Sequence, residues 1–390
     1  MEKKQTLLSL GGESVGNFSI YFKDKLYFFS DFGDLLEEKN FQNYKNFLLS
    51  YLKKEKIKPK IIIADLHPFY KTTQLGKELT QKFKAKFFQV QHHLAHIFSV
   101  IGEKIIEEPQ LKIKDCFGLA SDGTGYGLDG KIWGGEIFKI SFLASKQKPK
   151  IKIQRVGHLE NQTLIGGDLT IREPARMLIS ILSRFKIKNQ EEIKDFIYKF
   201  IKKYYSRNQF KLLFNQLQQN FNCQETSSTA RILDAVSVLL GFAKNQRNYK
   251  HEPIDLLEKN STFPYFNFKP KLIIKSYQPL IYNLLTTPLF EYLIKNLHRD
   301  KKRLAATAQF YLAQGFFKII EKLSRNQKPK IFFAGGLAKN KIISSYLKPK
   351  GVIFNKKISP GDAGLSFGQI SYYLLQNSNY SHHIPRMDFL

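Results

Sequence analysis

Three short runs open the chain, Leu7 to Leu10, Asn17 to Phe22 and Leu26 to Ser30, in which apolar residues are continuous or alternate between Gly and Asp turn signals. They predict strands. A helical pattern covers Phe41 to Lys54. Ile61-Ile62-Ile63-Ala64-Asp65 follows, a continuous apolar run of the kind carried by buried parallel strands. Thr73 to Phe83 predicts a helix, Ala85 to Val90 a strand, and His92 to about Glu107 a helix bearing histidines. The pattern then restarts. Asp115 to Ser121 predicts a strand ending in a glycine-rich turn, Asp122 to Gly127, and Ile132 to Ile140 and Ile151 to Val156 complete a second three-strand opening. Helices are expected from Glu173 to about Lys202 and on to about Arg247, then a strand-poor stretch to about Ser276. Leu304 to Leu323 reads as one helix and Lys330 to Ala334 as a buried strand. Gly335-Gly336 then lead into a helix to Leu347. Val352 to Phe354 is a last strand and Gly361 to Leu375 a last helix.

The topology repeats although the sequence does not. Two openings of three strands, each leading into alternating helices and strands, imply an α/β protein with two related lobes and a ligand between them, where strand ends and glycine turns converge. The expected division is an N-terminal lobe over 1–112 and a C-terminal lobe over 113–376, with a helical insertion at about 186–300. A loose tail is expected over 377–390.

A chain of 390 residues with 43% hydrophobic and 14% aromatic residues can fill two such cores. No apolar run reaches the length of a membrane span, and the start, MEKKQTLLSLGGES, has no secretory pattern, so a cytoplasmic location with no membrane partner is expected. Two cysteines, Cys116 and Cys223, exclude a disulfide framework and a thiolate zinc site. The net charge of +29 has two readings: an acidic partner such as RNA or a protein surface, or a compositional bias towards lysine.

Four motifs carry candidate chemistry. In Gln91-His92-His93-Leu94-Ala95-His96, the i, i+4 pair His92 and His96 shares a helix face and can bind one metal ion together with a carboxylate. In Ser121-Asp122-Gly123-Thr124-Gly125-Tyr126-Gly127, glycines follow a buried strand and allow backbone N–H groups to approach phosphate. Asp122 is the catalytic candidate, able to hold a cation or activate a nucleophile, and Asp129-Gly130 beyond it suits a plain hairpin. Phe332 to Asn340 contains Gly335-Gly336 at a strand–helix junction, where free N–H groups and the helix dipole favour an anion. Ser359 to Gln369 contains Asp362, which is either a helix cap or a third metal ligand.

In this order, the motifs resemble the C-terminal catalytic region of the HypF carbamoyltransferases, which mature nickel–iron hydrogenases. Further matching segments are Leu10 to Glu13, Asp31 to Leu35, Asp65-Leu66-His67-Pro68, Leu164-Ile165-Gly166-Gly167-Asp168, and Thr226 to Ser228 with Arg231 and Asp234. The resemblance implies a two-lobed actin-like (ASKHA) fold with duplicated RNase H-like lobes. It implies His92, His96 and Asp362 as ligands of a divalent metal, iron or zinc. It implies an adenine nucleotide of ATP or AMP type, with magnesium a further candidate. The nucleotide would meet Gly123, Thr124, Gly125, Tyr126, Gly127, Gly166, Gly167, Asp168, Gly335, Gly336 and Asn340. The implied reaction moves a carbamoyl group from carbamoyl-adenylate to an acceptor, the C-terminal cysteine of a HypE-like protein. The acylphosphatase, zinc-finger and YrdC-like adenylate-forming regions of a full HypF have no counterpart in the sequence, so a separate YrdC-like protein is the expected donor partner. Departures from the family pattern fall at Tyr249-Lys250-His251-Glu252, at Phe310-Tyr311, at Gly361 and around Gly16. They favour a non-catalytic nucleotide-binding scaffold as one alternative, and the charge favours a tRNA threonylcarbamoyl transferase-like enzyme as another.

Overall fold

The computed structural model describes residues 5–143, 150–325, 327–377, 384–385 and 387–389. The first half contains β1 (Leu7–Ser9), β2 (Phe18–Phe22), β3 (Lys25–Phe29), α1 (Glu38–Lys54), β4 (Ile61–Asp65), α2 (Lys71–Phe83), β5 (Lys86–Val90) and α3 (His92–Glu107). β6 (Asp115–Tyr126), β7 (Ile132–Leu143), β8 (Lys150–Leu159) and β9 (Gln162–Ile165) follow, then α4 (Leu169–Arg172), α5 (Ala175–Leu182), α6 (Gln190–Ile201), α7 (Arg207–Gln218), β10 (Cys223–Thr226), α8 (Thr229–Leu240) and α9 (Glu252–Lys259). The last part contains β11 (Leu272–Tyr277), β12 (Leu280–Leu284), α10 (Thr287–Lys295), α11 (Lys301–Ser324), β13 (Lys330–Ala334), α12 (Lys341–Leu347), β14 (Ile353–Phe354), α13 (Leu365–Asn377) and β15 (Met387–Phe389).

The expected duplication is present in the pairing itself. One sheet runs β3-β2-β1-β4-β5 and the other β8-β7-β6-β13-β14. In each, the first strand lies centrally, pairs antiparallel with the second and parallel with the fourth, and the fifth joins parallel at the edge. This is the two-lobed α/β architecture of the actin-like class.

Three expectations are corrected. The stretch 186–300 is not purely helical: β10, β11 and β12 extend the second sheet, through antiparallel pairing of β10 with β9 and parallel pairing of β12 with β8. Their signal is weak because β11 is largely exposed and β10 has only four residues. Asp122 to Gly127 is no terminal turn. β6 continues through it to Tyr126, with its register shifted between Ser121 and Gly125, so the glycines sit in a bulged strand. The tail expected to be loose lies partly outside the described residues, but Met387–Phe389 pair in parallel with β3.

Helices α3 and α13 lie between the two sheets. α3 packs on β6, β7 and β13 of one sheet, α13 on β1, β2 and β4 of the other, and the two helices pack on each other. Both faces of each are covered, so α3 is buried nearly all round. Their crossing requires small residues. A Cβ on Gly368 would stand 1.8 Å from the Ala95 carbonyl oxygen, and one on Gly102 2.4 Å from Oγ of Ser371. The close approach at Ala95 sets the spacing between α13 and the turn carrying His92 and His96.

Candidate metal and nucleotide cleft

His92 and His96 project from the first turns of α3, one helical turn apart, with their ring centroids 4.7 Å from each other. Gln91 caps the helix, accepting a hydrogen bond from the Leu94 amide. Asp362 stands just before α13, held by the opposite lobe. The Asn17 amide donates to the Asp362 carbonyl at 2.9 Å and accepts from the Ser366 amide at 2.8 Å, and Gln369 makes a two-way pair with the backbone of Gly11. The side chain of Asp362 caps no helix and faces the histidines instead.

Asp122 enters the same cluster from β6. One of its carboxylate oxygens lies 3.3 Å from Nε2 of His92 and 3.1 Å from Nε2 of His96, and the other accepts from the Gly336 amide at 3.2 Å. The two Nε2 atoms are 3.2 Å apart, and Asp362 is 3.6 and 3.5 Å from them. All four donor atoms lie within 4.8 Å of one another. An ion bound tetrahedrally at about 2.0–2.2 Å spaces its ligands by about 3.3–3.6 Å. The residues therefore fit a shared cation. Two imidazole nitrogens with two carboxylate oxygens form a donor set suited to a first-row divalent metal. Asp122, the catalytic candidate, thus stands among the side chains that could hold such an ion.

The electrostatics agree. Burial disfavours charge on every member, yet hydrogen bonds from His92 and His96 hold the carboxyls of Asp122 and Asp362 well below the usual range. Burial also opposes protonation of His92, but Asp65, Asp122 and Asp362 together raise it well above its ordinary value, and Asp122 and Asp362 raise His96. Asp65, at the end of β4, is fully buried and lies 2.8 Å from Nδ1 of His92. A carboxylate on the far nitrogen of a ligating histidine fixes its tautomer and orientation. Among the described residues, Nδ1 of His96 has no hydrogen-bond partner. In the sequence Asp65 closes the Ile61–Asp65 run and opens the Asp65-Leu66-His67-Pro68 segment, and nothing there marks His92 as its partner. Its place at the end of a wholly apolar run, where ligands gather in parallel sheets, was the available signal.

A cleft of 430 Å³ opens beside the cluster. Asp122, Gly123, Thr124, Gly336, Asn340, Gly361 and Asp362 line it, with Ile171, Ile254 and Leu337 as apolar walls and Arg231, Arg247, Lys250 and Lys339 as cations. A Cβ on Gly336 would meet nothing closer than Asp122 Oδ1, at 3.2 Å, and one on Gly123 would meet nothing within 4 Å, so both glycines border open space.

Other expected contacts fall elsewhere. Gly125, Tyr126 and Gly127 do not line the cleft. A Cβ on Gly125 would come within 2.4 Å of His93, Gly127 lies against Trp133, and the Tyr126 carbonyl accepts from Gln91. The shifted register of β6 turns them towards α3. Gly166, Gly167 and Asp168 are also absent from the cleft lining, which Ile171 of α4 reaches in their place. The helix expected directly after Gly335-Gly336 begins only at Lys341, beyond a 3-10 turn. Asn340 caps that helix through Ile343 and gives its amide to Glu258 and Gln309, which leaves little for a ligand. Gly335, at a φ of 95°, donates its amide to the Pro360 carbonyl. Of the departures, Tyr311 lies in the core, its hydroxyl donating to the Leu285 carbonyl at 2.6 Å, and it does not touch the cleft. Lys250 does: its ammonium is 3.9 Å from Asp362.

Residues 2–103 match the HypF Kae1-like domain, and residues 118–369 the second subdomain of the carbamoyltransferase Kae1-like domain. The probable carbamoyltransferase HypF of Methanocaldococcus jannaschii is 36% identical over 97% of this chain and 47% of its own length, and the carbamoyltransferase HypF of Synechocystis sp. 28% identical over 94% and 47%. The crystal structure of T. kodakarensis HypF superposes with a TM-score of 0.80 at 27% identity, over 96% of this chain and 48% of that one. A full-length HypF in the phosphate- and nucleotide-bound form shares the fold, with a TM-score of 0.80 at 24% identity over 97% of this chain and 57% of that one. The chain spans about half the length of the curated relatives it matches. With both halves of the Kae1-like region matched and the fold in agreement, the chain belongs to the HypF carbamoyltransferase family.

Proposed function

We propose that the cleft passes a carbamoyl group from carbamoyl-adenylate to the C-terminal cysteine of a HypE-like acceptor, in the cytoplasm. The observation that carries this reading is the buried His92–His96–Asp122–Asp362 cluster opening directly onto a cleft of nucleotide size. No helix among the described residues is long and apolar enough to cross a membrane.

The acceptor enters as its thiolate, the nucleophilic form. Sulfur attacks the carbamoyl carbon, and the bond from that carbon to the phosphate oxygen breaks. AMP leaves with the electron pair, so atoms and charge balance. A metal held by His92, His96 and Asp362 would keep a position free and supply Lewis-acid polarisation of the carbonyl. The protein's own part is placement. Asp65 fixes the His92 ring, the Gly336 amide fixes Asp122, and Ile171, Ile254 and Leu337 give apolar surface for the base. Gly123 and Gly336 leave room for the phosphate to approach the backbone. A HypF crystallised in a phosphate- and nucleotide-bound form supports the nucleotide assignment.

The test is a reconstitution with labelled carbamoyl phosphate, ATP, magnesium, a YrdC-like protein and a HypE-like protein, with and without this chain. The expected result is label on the acceptor cysteine that requires this chain and is lost in His96→Ala. The net charge of +29 favours tRNA as a second acceptor, and label appearing there would move the assignment. Label on neither, with nucleotide bound, would leave a scaffold.

A further inference from the structure

Two guanidinium groups share one carboxylate in the wall of the cleft. Arg231, in the first turn of α8 and 5% exposed, places Nε 2.8 Å from Oδ2 of Asp234. Arg247 brings Nη2 to 2.9 Å from the same oxygen. Both arginines line the cavity, and among the described residues Asp234 is the one carboxylate ion-paired with either. At Asp234 two guanidinium groups, Arg231 buried and Arg247 partly so, meet one carboxylate, a local excess of positive charge; the other acids of the cavity, Asp122, Asp255, Glu258 and Asp362, are ion-paired with neither arginine. Burying an unmatched charge is costly, so the arrangement suits an anion arriving from the cleft. Burial disfavours charge on Arg231 and Arg247 opposes it, while Asp234 and, more weakly, Asp122 favour it. Arg247 also donates through Nη1 to the Lys250 carbonyl at 2.5 Å, tying residue 250 to the same wall. The Lys250 ammonium, on a half-exposed side chain, reaches to 3.9 Å from Asp362. The N-terminus of α8 adds its dipole, with Ser228 capping the helix and Ala230 lining the cavity.

We propose that Arg231, Arg247 and Lys250 form an oxyanion subsite that takes a phosphate or carboxylate group beside the His92–Asp362 cluster. The proposal rests on the cleft being the substrate site. It makes Lys250 a binding residue, although its position departs from the family pattern. Two sources supply the chemistry: the phosphate of the nucleotide, or the terminal carboxylate of an acceptor ending in cysteine.

Calorimetry on the full chain distinguishes them, using AMP against adenosine, and a short cysteine-ended peptide as free acid against its C-terminal amide. Lys250→Gln and Arg247→Met are the variants. Arg247→Met leaves Arg231 and Asp234 as a matched pair, so it should fold, which a thermal melt checks. AMP binding roughly tenfold tighter than adenosine, with that ratio collapsing in both variants, assigns the phosphate. A similar ratio for free acid over amide, with the same collapse, assigns the carboxylate. No discrimination within either pair in the wild type, or discrimination that persists in both variants, overturns the subsite. Adenosine binding that stays constant across the variants shows the cleft intact. The transfer assay is independent, so a failed reaction with preserved anion discrimination would reject the proposed reaction and keep the subsite.

Discussion

Asp65→Asn tests the logic of the cluster at one buried hydrogen bond. Oδ2 of Asp65 lies 2.8 Å from Nδ1 of His92, and Oδ1 accepts from the His67 amide at 2.9 Å. The Asp65 carboxylate keeps a proton on Nδ1, so it is Nε2, facing His96, Asp122 and Asp362, that gives up its proton when a metal is bound there. Asparagine can satisfy only one of its two present partners in the same way. If its oxygen stays on the His67 amide, its NH2 faces Nδ1. The imidazole proton then moves to Nε2, into the space between the donors. If the amide flips, His92 keeps a neutral hydrogen bond and the His67 amide loses its acceptor. A hydrogen bond to a charged group is worth about 1.5–3 kcal/mol against about 1 kcal/mol for a neutral one. The loss of about 0.5–2 kcal/mol corresponds to roughly 2- to 30-fold weaker metal binding, overlapping the roughly 10–100-fold range for such partners of ligating histidines. The assay is competition for zinc against a chromophoric chelator, with a thermal melt in chelator as the control for folding. A folded Asp65→Asn chain with unchanged zinc affinity would refute the reasoning.

Gly368→Ala should cost about 3 kcal/mol in urea unfolding and weaken metal binding as well, because the new methyl meets the Ala95 carbonyl between the two histidines; a stable variant with intact metal affinity contradicts the crossing as drawn. Gly336→Val should abolish AMP binding by calorimetry, since the side chain would occupy open cleft beside Asp122; unchanged affinity places the nucleotide elsewhere. His158 is buried with its pKa pushed down to about 4, chiefly by burial. Its folded value lies below the unfolded value of about 6.5, so the unfolded chain takes the extra proton. Stability should be full above about pH 6.5 and fall by up to about 3 kcal/mol as pH drops towards 4. Urea titrations at neutral and mildly acid pH should show a smaller drop in His158→Gln, and equal drops would acquit His158.

The alternation of elements was legible because it rests on local chemistry. Ile61 to Ala64 are apolar without interruption since β4 is covered on both faces, and the i, i+4 spacing of His92 and His96 survives translation into any helix. Strands β10 to β12 were not legible, because short or exposed strands owe their pairing to β8 and β9, which sequence periodicity does not report. The sequence determined which residues could bind a metal, and left Asp122 and Asp362 each with two roles. Only the tertiary structure brings both carboxylates to one point beside His92 and His96. Packing of α13 on α3 through Gly368 brings Asp362 across the chain to the histidines, and the bulge in β6 turns Asp122 towards them while seating Gly125 against His93 and out of the cleft. The two arginines on Asp234 are likewise a product of folding. Charge balance in a buried wall depends on which side chains meet there, and residues separated by 13 positions announce nothing of that until the chain has closed on itself.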